Sequence, residues 1–297
     1  MKGAVKKQAS QHSDSKRSYT GRYAPTPSGL LHIGHAATFR TAFQRAKQQD
    51  GRIVLRIEDL DRDRCKDDYE SALIEDMQWL GLLWDQDPRS TEDYIRQSDQ
   101  LARYREVLDR LIEAGAVYSC NRSRKEIREY PNTMRNRDGE VLFPRSLRPQ
   151  EPDSPEEGEE RYRQHWRYRV DYGAVVTFED QRTGKHSYEA GVDFGDFLVW
   201  TKSGFPAYEL AVVVDDIDSG ITEVVRGEDL LTSTSRQILL YRILHAEIPD
   251  FYHCPLIKDE HGVRLAKQYD SKSIRSYRES GYTPEQFWKM LESVSEG

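Results

Sequence analysis

Scarcities narrow this sequence before any motif does. Its three cysteines, Cys65, Cys120 and Cys254, are scattered through 297 residues. They make no C-x-x-C pair, so a disulfide scaffold is excluded and a reducing, cytosolic compartment is expected. No apolar run approaches the roughly 18 residues needed to cross a bilayer, which excludes a membrane-spanning helix and a membrane partner. The opening MKGAVKKQASQHSDSKRS is basic and polar without an apolar stretch, so it is not a secretory signal. Residues 1–19 read as a disordered tail. A basic excess is also missing: the net charge is −7, which argues against a surface coated for nucleic acid but leaves room for a local basic face.

What remains is a soluble composition, 37% apolar and 32% charged, with enough chain for one large core or two modest domains. Strand-like and helix-like segments alternate. TGRYA and RIVLRI read as strands, and residues 33–49, YESALIEDMQWLGL and residues 98–114 read as helices, the last closed by Gly115. The middle breaks this rhythm, with short strand-like pieces such as GAVVTFED. DFLVWTK, FPAYELAVVVDD and ITEVVRG then read as strands, LLTSTSRQILLYRILHA as a helix, and FYHCPLI as a strand. A last helix opens at Thr283-Pro284. The pattern predicts an α/β fold, a Rossmann-like doubly wound parallel sheet in two halves (20–117 and 194–270) with a mixed insertion (118–193) and a helical C-terminal segment (271–297). Ligand is then expected at the strand C-termini near the switch in strand order.

The stretch Pro25 to His35, PTPSGLLHIGH, sits where the first strand hands over to the first long helix. A plain turn needs one Gly or Asn, so two prolines, two glycines and two histidines imply a further demand. Helix N-termini favour phosphate. Gly29 permits close approach of backbone to ligand, Pro25 and Pro27 stiffen the path, and His32 and His35 supply donors for phosphate oxygens. Downstream, VRLAKQ is a basic loop that brings Lys267. Asp215 and Asp216, at the end of their apolar run, are expected to touch ligand ribose or an amino group. The acidic EDLDRDRCKDD reads as a solvated helix start rather than a metal site. Residues 122–148 form a basic stretch that includes Arg122, Arg124, Arg128, Arg135 and Arg148, followed by the acidic loop QEPDSPEEGEE.

PTPSGLLHIGH resembles the HIGH signature of class I aminoacyl-tRNA synthetases, and RYAPTPSG resembles the glutamyl branch. LRIEDLD, AYELAVVVDD, EVVRGEDL and VRLAKQ agree in order, extending the resemblance from about Arg22 to Gln268. Within that branch, the short length and AYELAVVVDD are similar to the glutamyl-Q tRNA(Asp) synthetases, which lack an anticodon-binding domain. The residues after Gln268 are too few for such a domain, so none is expected here.

The resemblance implies an ATP site of Pro25, Pro27, Gly29, His32, Gly34, His35 and Lys267, with His32, His35 and Lys267 catalytic. It implies a glutamate site of Arg22, Ala24, Thr26, Glu58, Tyr208 and Arg226. Guanidinium forks suit the two carboxylates and Glu58 suits the ammonium. ATP with Mg2+ is implied as a substrate. The signature loop departs from the usual pattern at Ala266, where serine is usual, and at Arg264, where lysine is usual. Many relatives hold zinc with C-x-C, a Tyr and a further Cys. Here Cys120 and Tyr130 remain while Arg122 and Met134 replace the cysteines, so zinc is expected to be absent. Arg122, Arg124, Arg128 and Arg135 are then expected to meet RNA phosphates. The activity implied is ATP-dependent, tRNA-independent activation of L-glutamate and transfer to the queuosine base of tRNA(Asp), by a cytoplasmic monomer. Three alternatives stand beside it: a synthetase charging the tRNA 3′ end, a non-catalytic tRNA-binding paralogue, and a nucleotidyltransferase acting on another small acid.

Overall fold

The computed structural model describes residues 18–90, 92–150, 158–257 and 272–295. Lys267, with Arg264 and Ala266, lies outside the described residues, as does the tail to residue 17. Tyr19 does not belong to a loose tail: its hydroxyl donates to Glu223 Oε2 at 2.8 Å.

The chain opens with β1 (Thr20–Tyr23), all four residues buried. It crosses through α1 (Ile33–Gln48) to β2 (Arg52–Ile57), then through α2 (Asp67–Trp79) to β3 (Ile95–Arg96) and α3 (Leu101–Glu113). The apolar faces of α1 and α2 pack on β1 and β2 around Tyr23, Phe39, Leu55, Leu73 and Met77, so each crossover helix lies on the sheet it connects. Gly81 (φ +71°) and Gly115 (φ +65°) follow α2 and α3 in the left-handed conformation that closes a helix. The inserted segment supplies β4 (Val117–Ser119), α4 (Arg124–Glu129), β5 (Trp166–Tyr168), β6 (Val175–Asp180) and β7 (Gly184–Glu189). Then come β8 (Phe197–Trp200), α5 (Tyr208–Asp218), β9 (Glu223–Gly227), α6 (Leu231–Ile243), β10 (Asp250–Cys254), α7 (Ile274–Glu279) and α8 (Pro284–Ser295).

Strands β1, β2 and β3 pair in parallel in the order β1-β2-β3, and β7-β6-β10-β9 form a second set in which β10 is parallel to both β6 and β9. The sets meet where Thr222 N–H, entering β9, donates to Thr20 O of β1 at 2.9 Å. The order therefore reverses between β1 and β9, the switch point of a doubly wound α/β core.

Three expectations are corrected. AYELAVVVDD is a helix, α5, not a strand. A continuous apolar run is compatible with either, and α5 is apolar all round because it is enclosed, with Leu210 to Asp216 all buried. DFLVWTK does not resume the parallel sheet: β8 pairs antiparallel with β5, which pairs with β4, in a separate three-stranded sheet. Conversely GAVVTFED, from within the insertion, furnishes β6, which joins the main sheet beside β10.

Candidate active site

The loop after β1 is stitched to the end of β2. Glu58 N–H donates to Pro25 O at 2.9 Å and Lys66 N–H to Pro27 O at 3.1 Å. The loop ends in an unusual helix cap made by two histidines. Gly34 N–H donates to His32 Nδ1 at 3.1 Å, and His32 N–H donates to His35 Nδ1 at 3.3 Å, a reciprocal capping box. Because both Nδ1 atoms accept, each neutral ring carries its proton on Nε2. The rings lie 3.8 Å apart between centroids. Gly34 suits this arrangement, since a Cβ there would stand 3.0 Å from His32 Cε1 and press on the ring. At Gly29 the fold makes no such demand: φ is not positive and a Cβ would meet no protein atom within 4 Å. That is the space a close ligand needs. The chain returns to this point at Ser273, which bridges His32, and Ile274 N–H donates to Leu31 O at 2.8 Å.

Across β1 lies a buried charge cluster. Arg22 (β1) donates from Nη1 to Val225 O at 3.0 Å, and its Nε is 3.4 Å from Asp216 Oδ1. Arg56 (β2), 1% exposed, reaches Asp216 at 2.6 Å, Glu58 at 3.1 Å and Asp215 at 3.7 Å. Burial, the largest influence on Asp216, opposes its ionisation, yet Arg56 and Arg22 together hold its carboxyl below the usual value. Burial raises Glu58, against the pull of the same two arginines. Arg226 (β9) completes the group: Nη1 lies 3.5 Å from the Tyr208 hydroxyl and Nη2 donates to Thr234 Oγ1 at 2.7 Å. Arg22, Glu58, Tyr208 and Arg226 thus converge at the switch point, with Tyr208 at the N-terminus of α5.

Tyr208, Glu58 and Thr26 open into a cleft of about 1040 Å3. Its walls include Arg124, Arg128, Arg135, Arg167 and Arg236, opposed by acids such as Asp61 and Glu140. His32, His35, Arg22 and Arg226 are not among its wall residues, although Arg226 Nη1 stands 3.5 Å from the Tyr208 hydroxyl at the wall. Asp215 and Asp216 are not among the cleft's wall residues either. Both are buried, and Asp215 accepts from Gln97 Nε2 (2.8 Å) and Tyr104 Oη (2.9 Å), so they anchor the arginines instead. Arg56 lies within LRIEDLD, but its pairing with Asp216 appears only once β2 and α5 are packed together.

The sequence from residue 19 to residue 294 matches the family described as tRNA synthetases class I (E and Q), catalytic domain. The chain belongs to this family. A glutamyl-Q tRNA(Asp) synthetase of Nitratidesulfovibrio vulgaris is 41% identical over 266 residues, covering 88% of this chain and 81% of that protein. A glutamate–tRNA ligase of Aquifex aeolicus is 37% identical over 271 residues, covering 91% of this chain and 56% of the ligase. Among solved structures, a glutamate tRNA ligase of Elizabethkingia meningosepticum superposes with a TM-score of 0.75 at 26% identity, over 92% of this chain and 60% of that one. The chain therefore spans little more than half the length of the ligases it resembles.

In this synthetase domain the segment that resembles a zinc site does not fit the ion. Cys120 packs with Tyr118, Ile127 and Phe143 in a small apolar cluster. Met134 is 60% exposed, and Arg122 lies 3.7 Å from Glu126. Among the described residues no three His, Cys, Asp or Glu side chains converge to hold a metal. Of the basic stretch, Arg124, Arg128 and Arg135 reach the cleft and Arg122 does not. Arg148 is turned inward, bound to Asp196 and to Val170 O. No described helix is long and apolar enough to cross a membrane.

Proposed function

We propose that this domain activates L-glutamate with ATP, without needing tRNA, and transfers it to the queuosine base in the anticodon of tRNA(Asp). The observation that carries the reading is the convergence of Arg22, Glu58, Tyr208 and Arg226 at the switch point, beside a helix N-terminus capped by His32 and His35. Two guanidinium groups and a carboxylate match a substrate with two carboxylates and an ammonium. Ala24 and Thr26, on the loop between the two groups, complete the amino-acid site.

ATP, with its Mg2+, takes the helix side. Pro25, Pro27, Gly29 and Gly34 shape the loop against it, and the Nε2 protons of His32 and His35 donate to phosphate oxygens. The glutamate α-carboxylate attacks the α-phosphate, giving glutamyl-adenylate and expelling pyrophosphate. Lys267, shortly before the Ser273 bridge in sequence, is assigned the charge that develops on the leaving group. A hydroxyl of the RNA then attacks the activated carbonyl and AMP departs. No protein nucleophile enters. Positioning and charge stabilisation carry both steps.

Likeness to the glutamyl-Q relative over four fifths of its length supports the queuosine acceptor, with Arg124, Arg128 and Arg135 meeting RNA phosphates at the cleft. The 37% identity to a glutamate–tRNA ligase favours a second reading, transfer to the tRNA 3′ end. Labelled glutamate offered to tRNA with and without queuosine separates them: the first reading requires the modified base, whereas equal labelling of both RNAs overturns it. The domain is further proposed to work as a cytoplasmic monomer without resident zinc. Metal analysis is expected to find well under one zinc per chain, and stoichiometric zinc contradicts this.

A further inference from the structure

Arg226 differs from its neighbours in what holds it. Arg22 and Arg56 are both tied to a carboxylate, Asp216. Arg226 instead meets three uncharged groups. Nη2 donates to Thr234 Oγ1, Nη1 reaches the Tyr208 hydroxyl only at 3.5 Å, and Nε donates to His253 Nε2 at 3.3 Å. An arginine nitrogen always donates, so His253 presents a lone pair at Nε2, and the Thr234 hydroxyl lies 3.0 Å from the same nitrogen. Its proton is therefore on Nδ1, which lies 2.7 Å from Asp180 Oδ2.

His253 is completely buried on β10. Asp180, at the end of β6, is fastened in turn: Oδ2 also accepts from His253 N–H, and Oδ1 accepts from Thr183 N–H and Oγ1 and from Arg182 N–H. Burial and the nearby Arg226 lower the imidazole pKa to about 4, against the pull of Asp180, and His186 adds to the lowering. The ring is thus uncharged at neutral pH, as the tautomer requires. The relay runs from the inserted strand to the guanidinium without placing a carboxylate on it.

We propose that His253, oriented by Asp180, is a positioning residue that fixes Arg226 through a lone-pair nitrogen without pairing it to a carboxylate, leaving the guanidinium available to the side-chain carboxylate of glutamate and so setting preference against glutamine. This rests on the glutamate reading above. A carboxylate at position 253 would add an acid beside both Arg226 and Asp180 and so offset the charge that Arg226 offers a substrate. An uncharged acceptor holds Arg226 without that offset.

The test is amino-acid-dependent ATP–pyrophosphate exchange by the full chain and its His253→Ala, His253→Gln and His253→Glu variants. His253→Ala is expected to raise KM for glutamate at least about 10-fold, with kcat and KM for ATP changed less than about twofold, since one hydrogen bond to a charged group is lost. Gln returns an acceptor near the Nε2 position and is expected to restore most of the loss. His253→Glu is expected to lower the glutamate-over-glutamine ratio of kcat/KM by about tenfold or more. A glutamate KM unmoved by His253→Ala, a Gln variant no better than Ala, or equal changes in kcat and both KM values each overturn the inference. If wild-type chain shows no glutamate-dependent exchange, the glutamate reading fails and takes this inference with it. Nitrogen-15 NMR of wild-type protein supplies an arm independent of variant folding. A neutral Nδ1–H ring at pH 6 is expected, and an imidazolium or an Nε2–H ring there contradicts the relay.

Discussion

At the scale of single residues, the histidine cap explains why a glycine separates His32 from His35. A methyl group at position 34 would sit 3.0 Å from His32 Cε1 and 3.2 Å from its Nδ1, pressing on the ring that caps the helix. Gly34→Ala is therefore expected to lose about 1 kcal/mol of stability, the usual worth of an N-cap, and to lower kcat of the exchange reaction about 100-fold, while KM for glutamate changes little. Thermal unfolding and exchange kinetics check both, and an unchanged kcat removes the histidines from phosphate chemistry. Arg226→Ala is expected to do the reverse, raising KM for glutamate about 10- to 100-fold, measured by the same assay. These residues were legible in sequence because the chemistry demands their types at one turn or one strand end. Arg56, His253 and Asp180 were not. Arg56 meets Asp216 across 160 residues and His253 meets Asp180 across 73, and pairings at such separations exist only after folding.

Elements were read well where periodicity had one interpretation. Helices α1, α2 and α3 came with an amphipathic face and a stop, so their type and ends were fixed locally. The run at α5 was apolar on all sides and rich in valine, which describes an enclosed helix as well as a strand; only its packing between α3, α6 and β8 decides. One packing contact carries a pH signature. Asp76 of α2 is fully buried, neither carboxyl oxygen accepts a hydrogen bond, and Arg278 of α7 stands 3.6 Å away. Burial, the largest influence, raises its pKa from 3.8 to about 6, with Arg278 and Arg275 pulling it back. The folded state therefore binds this proton more tightly than the unfolded chain. The stability it gives is complete below about pH 4 and is lost as pH rises through 6. Asp76→Asn keeps an uncharged group there, and Arg278 retains Glu75 at 3.0 Å. The variant is expected to melt higher than wild type at pH 7.5, with the gain shrinking toward pH 5. A lower melting temperature at pH 7.5 would contradict the assignment.

Over the whole molecule, the doubly wound order predicted from alternation is present, and its reversal between β1 and β9 is where Arg22 and Arg226 meet. The insertion was legible as a break in rhythm but not in its placement. It lends β6 to the main sheet, and with it Asp180 to His253 behind Arg226, while β8 leaves the main sheet for the small antiparallel one. Pairing partners of short strands are set by long-range contacts, which composition does not record. The proposed function requires Arg22, Glu58, Tyr208 and Arg226 to recognise glutamate beside the His32–His35 cap, where it is joined to AMP. Pyrophosphate exchange with each amino acid in turn, run without tRNA, tests this most directly. Glutamate alone is expected to support exchange, with Arg226→Ala needing far more of it. Exchange that is absent with glutamate, or equal for glutamate and glutamine, would contradict it.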